Sequence, residues 1–271
     1  LDVELKNSTM VAAGSAAIAA TGMLAQQTNV DVISHNIANM NTTGFKRQRA
    51  EFQDLLYQQE IPPGAGGDSA RAPSGIQIGA GVKTGAVYRI KQQGALQQTG
   101  NRYDMAIEGR GYFPVTLPSG DTAYTRDGSF QLSDQGEMVT AQGYPLQPGI
   151  TIPQDTLQVT ISKTGEVQVT TSGNPTPQTV GQLQLATFIN DAGLQAQGDN
   201  LLIESAASGQ ASLANPGEPG FGTVQQGFVE GSNVNPVEEI TALISAQRAY
   251  EMNSRVVKTV DDMLATSSQL R

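Results

Sequence analysis

Both ends of the chain carry apolar residues at helical spacing. Near the start, Met23, Val30 and Ile37 lie seven residues apart, and Ile33 falls on a neighbouring turn. Apolar residues that recur every seven positions line one side of a helix. The pattern stops at residues 39–44, where Asn, Thr and Gly favour unwound backbone. The sequence therefore predicts an N-terminal helix of about 25 residues, roughly 37 Å long.

A second helix is predicted at the C-terminal end. Asn235 and Pro236 form a start signal, because the Asn oxygen accepts from unpaired amides and proline suits the first helical position. No Gly or Pro follows Pro236. The helix is therefore expected to continue to about Gln269. Its apolar stripe contains Leu243, Tyr250, Val257, Val260 and Leu264.

Between the two ends, short apolar runs alternate with turn signals. Runs such as residues 105–107, 112–117 and 123–125 are separated by dipeptides such as Asp127-Gly128. Strands of this length and spacing are typical of an all-β domain with antiparallel connections. No helical period of useful length occurs in this part of the sequence.

Together these patterns predict an α+β protein with a discontinuous helical domain. Residues 15–56 and 229–271 are expected to form the helical domain, which is coiled-coil-like, and residues 76–228 the mostly antiparallel β domain. Residues 57–75 have the Gly- and Pro-rich composition of an extended linker or insertion arm. Residues 1–14 stay unassigned and carry no functional weight.

The composition leaves few residues for catalysis or metal binding. The 271 residues include no Cys and one His, His35, and the formal net charge is −9. These features exclude thiolate and multi-histidine metal sites and disfavour a nucleic-acid partner. No apolar run is long enough to cross a bilayer, and no basic region precedes the apolar stretch near the start. We expect no enzymatic activity, no catalytic residue, no cofactor, no metal, no membrane insertion and no cleaved signal peptide.

One basic cluster stands out in this acidic chain. Lys46, Arg47 and Arg49 follow the predicted end of the first helix. Such a cluster is either a solvated surface or a site of pairing with an acidic surface of a neighbouring subunit. The sequence leaves both interpretations open.

Several motifs in order along the chain resemble those of the flagellar axial proteins, the rod and hook subunits. They read IANMNTTGFK at residues 37–46, DMAIEGRGYF at 104–113, YTRDGSF at 124–130, GFVEGSNVN at 227–235 and AQRAYE at 246–251. The segment RQRAEFQDLLY, residues 47–57, is more similar to distal-rod than to hook members. The resemblance covers nearly all of the chain beyond residue 15.

The resemblance implies a structural function. Members of this family form a tube from their terminal helices, carry the β domain outside it, and leave the cell interior through a dedicated export apparatus. We therefore expect a subunit of the distal rod that assembles head to tail with its own copies and transmits torque across the periplasm. The other expected partners are proximal-rod and hook axial proteins and the surrounding ring proteins.

The same resemblance identifies candidate interface residues. The helical stripes and the motif after the first helix are expected to contact neighbouring copies, and residues 57–75 to brace them. A proximal-rod or hook subunit, a surface β-rich adhesin and a helical hairpin that only caps its own domain are the alternatives. The candidate interface residues are Met23, Val30, Ile33, Ile37, Asn39, Asn41, Thr42, Thr43, Gly44, Phe45, Leu243, Tyr250, Val257, Val260 and Leu264.

Overall fold

The chain forms two compact units, and each is built from separate stretches of sequence. The computed structural model describes residues 2–61 and 76–269, and the side chains of residues 13–59 and 77–266. The helical unit comprises Leu1–Ala38, Gln48–Tyr88 and Asn235–Arg271. The β unit comprises Asn39–Arg47 and Arg89–Val234. The predicted α+β class is confirmed, although the units have bounds that differ from those of the predicted domains.

Two long helices form part of the helical unit. Helix α1 spans Asp2–Ala38 and helix α2 spans Pro236–Gln269. The predicted bounds of α2 are confirmed, and the Asn235 side-chain oxygen accepts from the Val237 amide at 3.1 Å. Helix α1 has 37 residues, so the predicted length of about 25 was wrong. The early part of α1 lacks the seven-residue apolar pattern on which that prediction rested.

The first four strands after α1 belong to the helical unit, apart from Arg89 at the end of the fourth: β1, Gln48–Asp54; β2, Tyr57–Ile61; β3, Ile76–Gly79; and β4, Val82–Arg89. Strand β1 pairs with β4, and β2 pairs with β3 in an antiparallel ladder that places Ile61 opposite Ile76. The predicted linker therefore begins as a strand. Its remainder, residues 62–75, lies outside the described residues.

The β unit contains fifteen strands and one short 3₁₀ turn at Asp191–Gly193. The strands are β5, Leu96–Gln98; β6, Met105–Glu108; β7, Phe113–Thr116; β8, Thr122–Thr125; β9, Gln131–Leu132; β10, Met138–Val139; β11, Thr156–Ile161; β12, Glu166–Thr171; β13, Asn174–Gln182; β14, Leu185–Thr187; β15, Gln195–Gly198; β16, Leu201–Ile203; β17, Ser212–Ala214; β18, Thr223–Gln226; and β19, Phe228–Glu230.

These strands form small antiparallel sheets. The largest sheet has the order β15-β16-β8-β7, and a three-stranded sheet has the order β11-β12-β13. The other strands pair in twos: β5 with β19, β6 with β18, β9 with β10 and β14 with β17. Since every pairing in this unit is antiparallel, the predicted connectivity is confirmed.

The β unit has its own hydrophobic core. Met105, Ile107 and Leu185 have no solvent exposure, and the ring of Phe113 meets that of Phe130 edge-on with centroids 5.2 Å apart. Burial of apolar side chains is the main favourable contribution to folding. The β unit therefore has a continuous core of its own.

Candidate assembly surfaces

The two helices cover one another along one side. Ala25 and Ile33 of α1 and Ala246 and Val260 of α2 are at most 5% exposed. The helices approach closely at Gly22, where an added Cβ atom would lie 2.8 Å from the Asn253 side-chain nitrogen. The helical unit therefore buries one apolar side of each helix within a single chain.

The predicted interface residues on the helices differ in how much surface they leave open. Ile33 and Val260 are buried in the helical unit, whereas Tyr250 is 43% exposed. The half-buried members are Met23, Val30, Ile37, Leu243, Val257 and Leu264. Their contact with other copies stays a prediction.

A second apolar face of α2 is exposed. Successive residues of a helix are about 100° apart, and this places the exposed residues mainly on the side away from Ala246 and Val260. Large apolar side chains on a protein surface mark interaction sites when they are contiguous. We call this surface the outer face of α2, and it consists of Val237 (73% exposed), Ile240 (51%), Ile244 (45%), Met252 (61%), Val256 (44%) and Met263 (54%).

The ribbon of strands in the helical unit also exposes large side chains. Leu56 is 87% exposed and Tyr57 is 57% exposed, at the start of the β2–β3 pair. Ile78 on β3 and Val87 on β4 are both 45% exposed. These side chains are a second apolar surface that the helical unit does not cover.

The predicted motif after α1 folds into a tight turn in the β unit. The Thr42 amide donates to the Asn39 carbonyl and its hydroxyl to the Asn39 side-chain oxygen, both at 3.1 Å. Asn41 is exposed, and Thr43 and Phe45 are half-buried. The Phe45 amide closes the turn by donating to the Thr42 carbonyl at 3.3 Å.

The turn requires a glycine at position 44. Its φ angle is +69°, a conformation that L-residues with side chains rarely adopt. Its amide donates to the Glu230 carbonyl at 2.7 Å, and an added Cβ atom would lie 2.8 Å from the backbone of Arg126 and Asp127. The glycine in the motif after α1 is therefore explained by close backbone packing within the chain.

The Glu230 side chain connects parts of the β unit that are distant in sequence by ion pairs and hydrogen bonds. Its carboxylate has no exposed side-chain surface and accepts from Lys46 Nζ at 2.5 Å, from the Gly94 amide at 2.8 Å and from Arg126 Nε. Burial alone would raise the pKa of Glu230, but the charges of Arg126 and Lys46 and their hydrogen bonds together hold that pKa below its usual value. The carboxylate is therefore ionised in the folded chain.

Arg126 ties the same carboxylate to a backbone loop. Its guanidinium is 8% exposed and donates to the carbonyls of Ile107, Gly109 and Gly111 as well as to Glu230. All of its nitrogens thus have acceptors, as a buried guanidinium requires. Of the predicted basic cluster, Lys46 therefore forms an ion pair within its own chain.

A polar contact lies inside the helical unit. Asn36 of α1 is 1% exposed; its side-chain oxygen accepts from the Gln48 amide and its nitrogen donates to the Gln48 carbonyl, both at 2.8 Å. The same nitrogen donates to the Glu239 carboxylate of α2 at 3.1 Å. One carboxamide therefore connects α1, β1 and α2.

Sequence reasoning did not single out Asn36, Arg126 or Glu230. Arg126 and Glu230 stand within the quoted motifs, but 104 residues separate them. Local spacing carries no information about a pair so far apart. The one signal that was present is an acidic residue directly after two apolar residues, Phe228-Val229-Glu230.

Metal ligands and membrane-spanning helices were sought among the described residues and not found. Among them, no three His, Cys, Asp or Glu side chains could hold a metal ion together. His35 is exposed on α1. Neither helix, as far as it is described, combines the length and apolar character of a membrane-crossing segment.

The chain matches three family models that lie in order along it. The model described as flagella basal body rod protein matches residues 17–46. The flagellar hook protein FlgE/F/G D1 domain matches residues 106–169, and the flagellar basal body rod FlgEFG protein C-terminal model matches residues 225–270.

Whole-chain comparison gives the same family. The chain is 62% identical to the flagellar basal-body rod protein FlgG of Caulobacter vibrioides, over 93% of this chain and 97% of that protein. It is 49% identical to the FlgG protein of Agrobacterium fabrum over the same shares, and 41% identical to that of Bacillus subtilis over 90% of this chain and 94% of the relative. With this identity over nearly its whole length, the chain belongs to the flagellar basal-body rod proteins.

Proposed function

We propose that the protein is a structural subunit of the distal rod of the bacterial flagellum. Its relatives along the whole chain are FlgG proteins, which form the distal rod. Family membership favours a mechanical rather than an enzymatic role. Copies assemble head to tail into a rigid helical tube that transmits torque from the motor to the hook.

The outer face of α2 is the observation that supports assembly through the helices. One side of α2 packs on α1, and the exposed apolar side chains of the outer face are available for a contact with another chain. Contacts between different surfaces of successive copies generate a helical polymer when the rotation does not close. We propose that the outer face contacts a terminal helix of the next copy, and that Tyr250 and the half-buried stripe residues contribute the surface that they leave open.

A single charge on this face tests the proposal. In the Ile244→Lys variant, burial of an ammonium group against apolar side chains would oppose association. We expect polymer formation, followed by light scattering and electron microscopy, to be lost, while the circular dichroism and thermal unfolding of the monomer stay unchanged. Ser254→Lys, an exposed polar position outside the face, is the matched control and should still polymerise. Unchanged polymerisation of Ile244→Lys would contradict the proposal.

We also propose that residues 57–75 brace neighbouring copies. The exposed side chains of Leu56, Tyr57 and Ile78 at the described base of this segment support a contact with another chain. Since Ile61 lies opposite Ile76, an Asn-Gly turn can replace residues 62–75 and close the β2–β3 hairpin. This variant should form tubes that are more curved or flexible by electron microscopy. Tubes of unchanged straightness would argue against a bracing role.

The partners that we propose are those expected for a subunit in the distal rod. Proximal-rod subunits would bound the assembly at one end and hook subunits at the other, with ring proteins around it and the export apparatus as the route of delivery. The β unit, with side chains such as Ile189 at 92% exposure, is the surface proposed to face the rings. Photo-crosslinking from Ile189 in isolated basal bodies would identify the neighbour, and adducts only with other copies would count against an outer β unit.

A further inference from the structure

The chain passes between its two units four times. The passages fall after Ala38, Arg47, Tyr88 and Val234. At such points the backbone N–H and C=O groups still need hydrogen-bond partners. The β-unit ends of three of these passages are residues 45–47, 89–92 and 233–234, and we call them the crossing segments.

Asn233 hydrogen-bonds the other two crossing segments. Its side-chain oxygen accepts from the Arg47 amide at 2.6 Å. Its side-chain nitrogen donates to the Ile90 carbonyl at 3.2 Å and to the Gln92 carbonyl at 2.8 Å. The carboxamide thus uses its acceptor and its donors on backbone that is distant in sequence.

Backbone hydrogen bonds complete the arrangement. The Ile90 amide donates to the Arg47 carbonyl at 2.8 Å, and the Asn233 amide donates to the Phe45 carbonyl at 3.4 Å. Residues 45–47, 90–92 and 233–234 belong to no helix or strand. A side-chain carboxamide therefore supplies the hydrogen bonds that a β-ladder would supply elsewhere.

The core does not replace these bonds. Asn233 is half-buried, and neither hydrophobic cluster of the β unit includes a residue of the crossing segments. Local openings of a protein require only that local interactions break, and their free energies lie below that of global unfolding. Lys46 also holds two of these segments through its bonds to the Gln92 carbonyl and the Glu230 carboxylate, so loss of the Asn233 bonds should loosen the segments locally without unfolding the core strands.

We propose that Asn233 is a positioning residue whose carboxamide latches the three crossing segments together. Loss of the carboxamide frees the crossing segments while both units stay folded. The latch is a property of the single chain, so its test does not require the polymer and does not depend on the proposed function.

Hydrogen exchange of the full-length monomer, followed by mass spectrometry, tests the latch. In Asn233→Ala, peptides that cover the crossing segments should exchange about tenfold faster or more, because all three side-chain bonds are lost. Peptides from β6, β7 and β14 should change less than about twofold. Asn233→Asp keeps an oxygen for the Arg47 amide and loses the donors, so residues 45–47 should be protected more than in Asn233→Ala.

A matched control separates the latch from a general effect of the substitution. The Asn174 side-chain oxygen accepts from the Thr176 amide at 3.2 Å, at the start of an exposed strand. Asn174→Ala should leave exchange of the crossing segments unchanged. Unchanged exchange there in Asn233→Ala, or equal acceleration of the core strands, would overturn the proposal.

Discussion

Glu230 connects parts of the β unit that are distant in sequence. Its carboxylate faces Lys46 and Arg126, and its backbone carbonyl accepts from Gly44. A buried pair is neutral or weakly stabilising as a whole, but removal of one partner leaves a buried charge uncompensated. The interaction therefore contributes most to specificity, because only the native arrangement satisfies all of its groups.

Substitution of Glu230 should destabilise the β unit. In Glu230→Gln, two cations lose their counter-charge, and the free energy of unfolding should fall by about 3 kcal/mol. Glu108→Gln, at an exposed position, should change it by less than about 0.5 kcal/mol. Urea denaturation followed by tyrosine fluorescence measures both, and equal effects would refute a special role for Glu230.

The pKa of Glu230 also predicts how stability depends on pH. Because its pKa in the folded chain is lowered from 4.5, its contribution is complete above that value. The contribution should be lost as the pH falls from 4.5 through the lower folded-state pKa. The free energy of unfolding of the original chain should thus fall more steeply over this acidic range than that of Glu230→Gln. Parallel curves would contradict the pKa shift.

At the scale of elements, Asn36 organises the helical unit. The Asn36 carboxamide both donates to and accepts from the Gln48 backbone, as a residue of a neighbouring strand would. Strand β1 begins at this contact. The third bond, to Glu239, fixes α2 at the same point. Three elements are thus positioned by one residue near the end of α1.

Asn36→Asp should weaken this junction. The aspartate cannot donate to the Gln48 carbonyl, and its charge faces the Glu239 carboxylate, so we expect a loss of about 2–4 kcal/mol in the free energy of unfolding. Far-ultraviolet circular dichroism during denaturation measures it.

The control is Asn29→Asp, at a half-buried position of the same helix. The Asn29 nitrogen donates only a long 3.4 Å bond to the Gln26 side chain. A loss above about 1 kcal/mol in this variant would show that any added charge on α1 is unfavourable, and would remove the case for Asn36.

The helices and strands were more predictable from the sequence than the contacts between them. Local signals predicted α2 to within a residue, because Asn235 and Pro236 act within the first helical turn. They also predicted the β6, β7 and β8 strands. The interactions of Asn36, Arg126 and Glu230 were not predictable, because each depends on residues brought together only by the fold.

At the scale of the molecule, Asn39–Arg47 belongs to the β unit although it follows α1 directly. The pattern along the chain placed it with the helix, since no local signal reveals the contacts of Gly44 and Lys46 with Glu230. Those contacts decide where the β unit begins.

Two fragments test this boundary. A fragment of residues 39–234 retains every residue of the β unit and should fold as a monomer. A fragment of residues 48–234 lacks Gly44 and Lys46, so its thermal unfolding should occur at a lower temperature, with a free energy of unfolding smaller by about 3 kcal/mol or more. Equal stability of the two fragments would show that residues 39–47 are not part of the unit.

The division of the chain also sets an order of events during synthesis or passage through a narrow channel. Every residue of the β unit precedes Asn235, so this unit can close while α2 is still to emerge. Helix α1 emerges early, yet its partner α2 follows every strand in sequence. The surface of α1 that α2 covers is therefore exposed until α2 emerges. During that time a chaperone or an unintended neighbour could bind it.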